Sequence, residues 1–155
     1  MKPLLYTVFA CLGFLSAHAQ GYHMEGMEVK PESAVVFETG NATLKPESEA
    51  VLQTIKKYLD EKSYVTLMRI EGHVDGSSAD QALSEARANA VAKWLVGAGV
   101  DCKRLIVVGF GNTKPVSEIH AANNRIAFVN AALRGRAIGG MPVDGSGQVA
   151  GDPCK

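Results

Sequence analysis

From Tyr64 onward an apolar, β-branched run leads into a turn carrying ionisable side chains, and a helical pattern follows. Tyr64 to Glu71 is rich in Val, Thr, Leu, Met and Ile. Gly72 stops the run before a long helix can form, so a strand is predicted. Ser78-Ala79-Asp80-Gln81 matches a capping box, and a helix is predicted over 79–97. Leu83, Ala86, Ala90, Val91, Trp94, Leu95 and Ala98 recur on one face of it. Gly97 and Gly99 end it.

The rest of the chain supplies further layers. Residues 20–32 are polar, contain Gly21, Gly26 and Pro31, and are expected to form a short leader. Ser33 to Thr39, with Val35, Val36 and Phe37, predicts a strand, and Gly40-Asn41 a turn. Pro46 suits a first helical position, Glu47 and Glu49 suit the positive first turn, and Leu52, Ile55 and Leu59 keep helical spacing, giving a helix over about 46–60. Leu105 to Gly109 and Ile126 to Leu133 predict two more strands, the second apolar on both alternations in places, as in a covered sheet. Residues 135–155 hold many glycines and few large apolar side chains, and a flexible tail is expected there unless Cys154 anchors it. The order is strand, helix, strand, helix, strand, strand. The fold class is α/β (α+β), a two-layer sandwich with helices on one face of a mixed sheet, and 33–134 is the single domain.

The first residues carry a different signal. Lys2, the apolar run Leu4 to Leu15 and the small residues of Ala17-His18-Ala19 read as a secretory signal peptide over 1–19. Lipid attachment at Cys11 and a membrane anchor are the other readings of this segment, and the run is short for a span. Export is expected, and no apolar run of the mature chain is long enough to span a bilayer. The formal net charge is zero and no long basic run occurs, which argues against a nucleic-acid surface. Cys102 and Cys154 remain after cleavage. An even pair in an oxidising compartment suggests a disulfide, with two free thiols the other reading.

Arg87 is anomalous, because it sits four residues from Leu83 and from Val91 on the predicted apolar face. An unpaired buried guanidinium costs several kcal/mol. Helical side chains lean toward the helix N-terminus, so Arg87 leans toward the loop holding Asp75. One reading is an internal ion pair with Asp75, Asp80 or Glu85, or a snorkelling side chain. The other is a ligand site, in which Arg87 forks a carboxylate and Asp75 takes an ammonium. His73 and His120 lack a third metal ligand at suitable spacing. Gly109-Phe110-Gly111 lacks the third glycine of a dinucleotide fingerprint. No Gly-x-Ser-x-Gly or His-Glu-x-x-His motif is present, so neither an enzyme nor a cofactor is expected.

Several ordered motifs share one resemblance. Phe37-Glu38-Thr39-Gly40-Asn41-Ala42-Thr43-Leu44-Lys45-Pro46, Glu71-Gly72-His73-Val74-Asp75, Leu83-Ser84 with Arg87-Ala88, Gly99-Val100-Asp101, Gly109-Phe110-Gly111-Asn112-Thr113-Lys114-Pro115 and Asn124-Arg125 together resemble the OmpA-like C-terminal domain family. The likeness runs from about Ala34 to Leu133. It implies non-covalent binding of peptidoglycan through its diaminopimelate stem peptide. Asp75 and Arg87 would grip the amino-acid end, Thr39 and Gly40 would supply backbone contacts, and Arg125 would lie nearby. The chain departs from the family pattern at three places. Asp80 stands where an asparagine is usual, the loop after Asp75 is about three residues shorter, and Ile126 replaces the second arginine of the closing motif. Asp80 adds a negative charge, which repels a ligand carboxylate and favours a ligand amine. A membrane-anchored envelope protein is a further expected partner, because the mature chain has no anchor of its own.

Overall fold

The computed structural model describes residues 21–75, 80–115, 124–136 and 147–155. The elements are β1 (Tyr22–Glu25), β2 (Glu28–Pro31), α1 (Ser48–Glu61), β3 (Val65–His73), α2 (Asp80–Gly97), a 3-10 turn (Cys102–Arg104), β4 (Leu105–Gly109), β5 (Arg125–Leu133) and β6 (Gln148–Val149). Six strands form one mixed sheet in the order β1-β2-β5-β3-β4-β6. The central β3 pairs parallel with β4 and antiparallel with β5. The α+β sandwich is thus present.

The core lies between the helices and one face of the sheet. Leu52, Ile55 and Leu59 of α1 meet Met68 and Ile70 of β3, Val107 of β4 and Phe128 of β5, all fully buried. Burying side chains of this size contributes about 1.5–3 kcal/mol each. Arg104 ties the end of α1 to the start of β3: its Nη2 donates to Leu59 O at 3.0 Å and to Val65 O at 2.9 Å.

Three stretches differ from expectation. The polar segment expected as a leader forms the β1–β2 hairpin, which docks on β5 through Glu28↔Val129 and Val29↔Phe128. Gly26 turns it at φ +58°, the left-handed geometry that two-residue hairpin turns require. Conversely, 33–39 is not a ladder strand. It makes one bridge, Phe37↔Leu44, and runs along the start of α1, where Ser48 Oγ bonds both Val36 N (2.8 Å) and Val36 O (2.7 Å). The buried serine satisfies the backbone groups that a neighbouring strand would have taken. Finally, the described end of the expected tail is tied down. β6 pairs with β4 through Val108↔Val149 and Gly109↔Gln148, and a disulfide joins Cys154 to Cys102. The capping box residues Ser78 and Ala79 lie outside the described residues.

The apolar face of α2 is also rotated from its expected position. Ser84, Ala88, Val91, Ala92 and Leu95 are buried, Leu83 is half-buried and Ala86 is exposed. The cause is close packing. A Cβ on Gly72 would stand 2.0 Å from Ser84 O, and one on Gly109 would stand 2.8 Å from Ser84 Oγ. These two glycines are register partners on β3 and β4. Only small side chains fit where α2 lies this near the sheet, so Ser84 and Ala88 face inward and Leu83 does not.

Candidate functional site

The parallel β3–α2–β4 unit brings the ends of β3 and β4 to one pole, and antiparallel β5 starts there, with His73↔Arg125 in register. Ligands of open α/β sheets commonly sit at such strand ends. The first turn of α2 is bonded to the loop after β4. Gln81 Nε2 donates to Gly109 O at 3.0 Å, and Gly111 N donates to Ser84 Oγ at 2.9 Å. Asp75, two residues past β3, lies beside this loop because Val74 N donates to Gly111 O at 2.9 Å.

Arg87 sits at the flank of the buried face of α2 rather than at its centre, and is half-buried. It crosses to two distant segments. Nε donates to Asn41 O at 3.0 Å, and Nη1 approaches Asn124 Oδ1 at 3.4 Å. The guanidinium lies over the Phe37 ring, 5.0 Å from its centroid, a favourable cation–π distance. Asn124 Oδ1 also lies 3.5 Å from Asp75 N, so this amide sits between the two residues that the sequence marks for ligand binding. Burial holds the Arg87 guanidinium below the ordinary arginine range. It stays charged all the same.

Thr39 and Gly40 are in the tight turn facing Arg87. Glu38 N donates to Thr43 O at 2.9 Å, Thr43 N donates to Asn41 Oδ1 at 2.8 Å, and Gly40 adopts φ +74°. That left-handed conformation favours glycine. The turn aims the Asn41 carbonyl at Arg87. Arg125 is drawn elsewhere, with its Nη1 3.6 Å from Glu28 Oε1 on β2. Asp80 opens α2; its side chain lies outside the described residues, as do His120 and the short loop 76–79. Among the described residues no group of three His, Cys, Asp or Glu side chains could hold a metal ion.

Phe37, Asn41 and Asn124 all lie in recognisable motifs, yet nothing in their spacing names them as partners of Arg87. Asn41 and Arg87 are 46 positions apart, and only the docking of the 36–45 turn on α2 brings them together.

Behind the site, on the sheet face away from the helices, β3 carries Arg69, Glu71 and His73 in alternation. Arg69 Nε donates to Glu71 Oε1 at 2.6 Å, and His73 Nε2 lies 3.2 Å from Glu71 Oε2. His73 is 2% exposed and stacks on Phe110 at 5.2 Å. Because Glu71 accepts at Nε2, the neutral ring carries its proton there, and Nδ1 has no hydrogen-bond partner. Burial pushes the His73 imidazolium below its ordinary range, the Glu71 hydrogen bond opposes that, and the nearby Arg125 and Lys114 charges add to it. Burial alone would raise the Glu71 carboxyl, but the His73 bond and the Arg69 charge outweigh it and hold it low. Both folded values are depressed, so the unfolded chain binds more protons in each window. Stability is present in full above the unfolded histidine value of about 6.5 and falls as pH drops through the lower folded value. The Glu71 contribution is lost further down, from about 4.3. Urea midpoints should therefore fall between pH 7 and pH 5, and His73→Gln should flatten that slope. An unchanged slope in the variant would remove His73 as its source.

The chain matches the OmpA family over residues 36–127, more than half of its length. It belongs to the OmpA family. Solved structures similar to it include the peptidoglycan-associated lipoprotein from Burkholderia pseudomallei, at 31% identity over 62% of this chain and 87% of that one, with a TM-score of 0.53. Another is the OmpA-like domain of FopA1 from Francisella tularensis, at 27% identity over 73% and 80%, with a TM-score of 0.57. The periplasmic domain of Helicobacter pylori MotB, at 16% identity over 70% and 78% with a TM-score of 0.60, shares the fold. No curated protein sequence matches the chain. The OmpA-family match spans the Asn41 turn, Asp75, Arg87 and Asn124, so the whole pole lies within the family's territory.

Proposed function

We propose that this OmpA-family protein binds peptidoglycan reversibly and without bond cleavage, through the diaminopimelate-type stem peptide. The observation that carries this reading is the placement of the half-buried Arg87 guanidinium. It lies where the Asn41 turn, the end of β3 and Asn124 converge. A guanidinium partly withdrawn from water binds a carboxylate more strongly than an exposed one. Asp75, on the other side of Asn124, takes the ligand ammonium. Thr39 and Gly40 supply backbone contacts from the turn, and Asp80 adds a negative charge at the start of α2. The name of the Burkholderia relative, a peptidoglycan-associated lipoprotein, supports the same reading.

The setting proposed for this activity is the periplasm, reached through a signal peptide over 1–19. Among the described residues no helix is long and apolar enough to cross a membrane. A membrane-anchored envelope protein is the further partner that would link a wall-bound chain to a membrane.

A second reading, an OmpA-like fold that serves as a protein-interaction module, is favoured by the pairing of Arg125 with Glu28 and by Ile126 in place of a second arginine. Co-sedimentation with insoluble peptidoglycan separates the two. The folded wild type should pellet, and Asp75→Ala and Arg87→Ala should each weaken binding at least about tenfold, the loss expected for a charge-assisted hydrogen bond. If the wild type stays in the supernatant across pH and salt, wall binding is wrong and the interaction module stands.

A further inference from the structure

The pole opposite Asp75 and Arg87 holds a second open cleft, of about 390 Å³. This is toward the small end of the roughly 300–1,000 Å³ usual for ligand pockets. It lies between the β1–β2 hairpin and the end of α1, next to the start of β3. Its inner residue Asn130 is in register with Met68, five residues or roughly 17 Å along β3 from His73 at the Arg87 pole. Tyr22, Met24, Met27, Tyr58, Tyr64 and Lys62 line it, with Asn130 and Leu133 of β5. Met24 and Tyr64 are 44% and 47% exposed, two of the three exposed large hydrophobic residues among those described. They flank the same opening.

The inner wall has an unmet polar requirement. Asn130 is 4% exposed, and its Nδ2 lies 2.7 Å from Tyr58 Oη, while its Oδ1 is buried without a hydrogen-bond partner. The two ends of an amide are assigned from their surroundings. If the amide is turned over, Tyr58 donates its hydroxyl proton to Oδ1, and the amide N–H groups then lack an acceptor. As placed, the pair leaves the Tyr58 hydroxyl proton as a donor but also Oδ1 as a bare acceptor; turned over, it leaves only amide N–H donors, and that is the orientation suited to an anionic ligand. Lys62 adds an ammonium to the same lining. Lys56 pairs with Asp60 and Lys57 with Glu61, but among the described residues Lys62 has no carboxylate partner. The cleft thus joins an aromatic and thioether wall to unspent donors and a positive charge.

We propose that this cleft is a ligand site distinct from the Arg87 pole, and that it takes a small amphipathic carboxylate. An aromatic or branched apolar body lies against Tyr22, Tyr64 and the two methionines. The carboxylate is held by Lys62 and by the donor of the Tyr58–Asn130 pair. A free organic acid and the C-terminal residue of a polypeptide both present this chemistry.

The test is a titration of the folded protein followed by amide NMR, using phenylacetate and, as its uncharged analogue, phenylacetamide. Phenylacetate should move the signals of Met24, Tyr64 and the Asn130 side-chain amide at millimolar concentration, and leave Arg87 unmoved. Phenylacetamide should bind about fivefold more weakly, and Lys62→Gln should lose a similar factor for phenylacetate, as expected for one partly exposed ion pair. Lys62→Gln keeps the backbone bond from Lys62 N to Tyr58 O at 2.9 Å, so the helix end is preserved. A tripeptide Ala-Ala-Phe with a free C-terminus, run beside its C-terminal amide, distinguishes the sources. Tighter binding than phenylacetate, lost in the amide, assigns the site to chain ends, and weaker binding assigns it to free acids. Equal responses to acid and amide in both pairs, an unchanged affinity in Lys62→Gln, or shifts confined to the Arg87 pole would overturn the proposal.

Discussion

Reduction of the Cys102–Cys154 bridge should lower the unfolding free energy by about 4 kcal/mol, the chain-entropy value for a loop of this length. The cysteines are 52 positions apart, and the loop they close includes β4, β5 and β6. Few other described contacts hold the last segment. β6 makes two register pairs with β4, Ala150 N donates to Val107 O at 2.9 Å, and Asn89 Nδ2 donates to Ala150 O. The segment nevertheless covers something large. A Cβ on Gly147 would stand 2.5 Å from the ring of Phe110, which is fully buried and stacks on His73. Without the bridge the tail should open locally before the domain unfolds, exposing the Phe110 ring. Urea unfolding with and without reductant, and of Cys102→Ser with Cys154→Ser, measures the first effect. Hydrogen exchange at Val107, Val108 and Ala150 measures the second. A loss under about 0.5 kcal/mol would mean that the bridge does not constrain the unfolded chain as the loop-entropy expectation requires.

Gly72→Ala should cost about 3 kcal/mol, the upper part of the usual range for overpacking, and should weaken wall binding as well. The added Cβ would stand 2.0 Å from the backbone oxygen of Ser84 and 3.3 Å from Ala88 Cβ. A backbone atom cannot rotate away, so α2 must shift off β3. Arg87 lies on the turn of α2 between these two residues, and its distances to Asn41 and Asn124 would change with it. Gly97→Ala is the control. No heavy atom lies within 4 Å of a Cβ there, so that change should be neutral or stabilising by up to about 1 kcal/mol. Thermal unfolding and co-sedimentation of both variants check this. If Gly72→Ala folds and binds as the wild type does, the close approach of α2 does not position Arg87.

Much of this arrangement is legible in the chain. The strands at 65–73, 105–109 and 125–133 and both helices follow from runs of β-branched residues, helical spacing and glycine stops, because these signals act locally. The hairpin at 22–31 was not legible. Its strands are short and polar, and β5 stabilises them from far along the chain. The segment 33–39 misled for the converse reason: its composition is strand-like, but Ser48 took the backbone bonds of Val36. The face of α2 was displaced because periodicity weighs Leu83 above Ser84, whereas two glycines on the sheet admit only the smaller side chain.

The sequence by itself determined the α+β class, the family and the motifs that carry Asp75 and Arg87, since these depend on residue type and order along the chain. Only the tertiary structure decided where the Arg87 guanidinium goes. It lies against Phe37, Asn41 and Asn124, and Arg125 pairs with Glu28. A half-buried charge takes whatever acceptors the packed segments bring within reach, and those segments meet through the folding of the whole sheet.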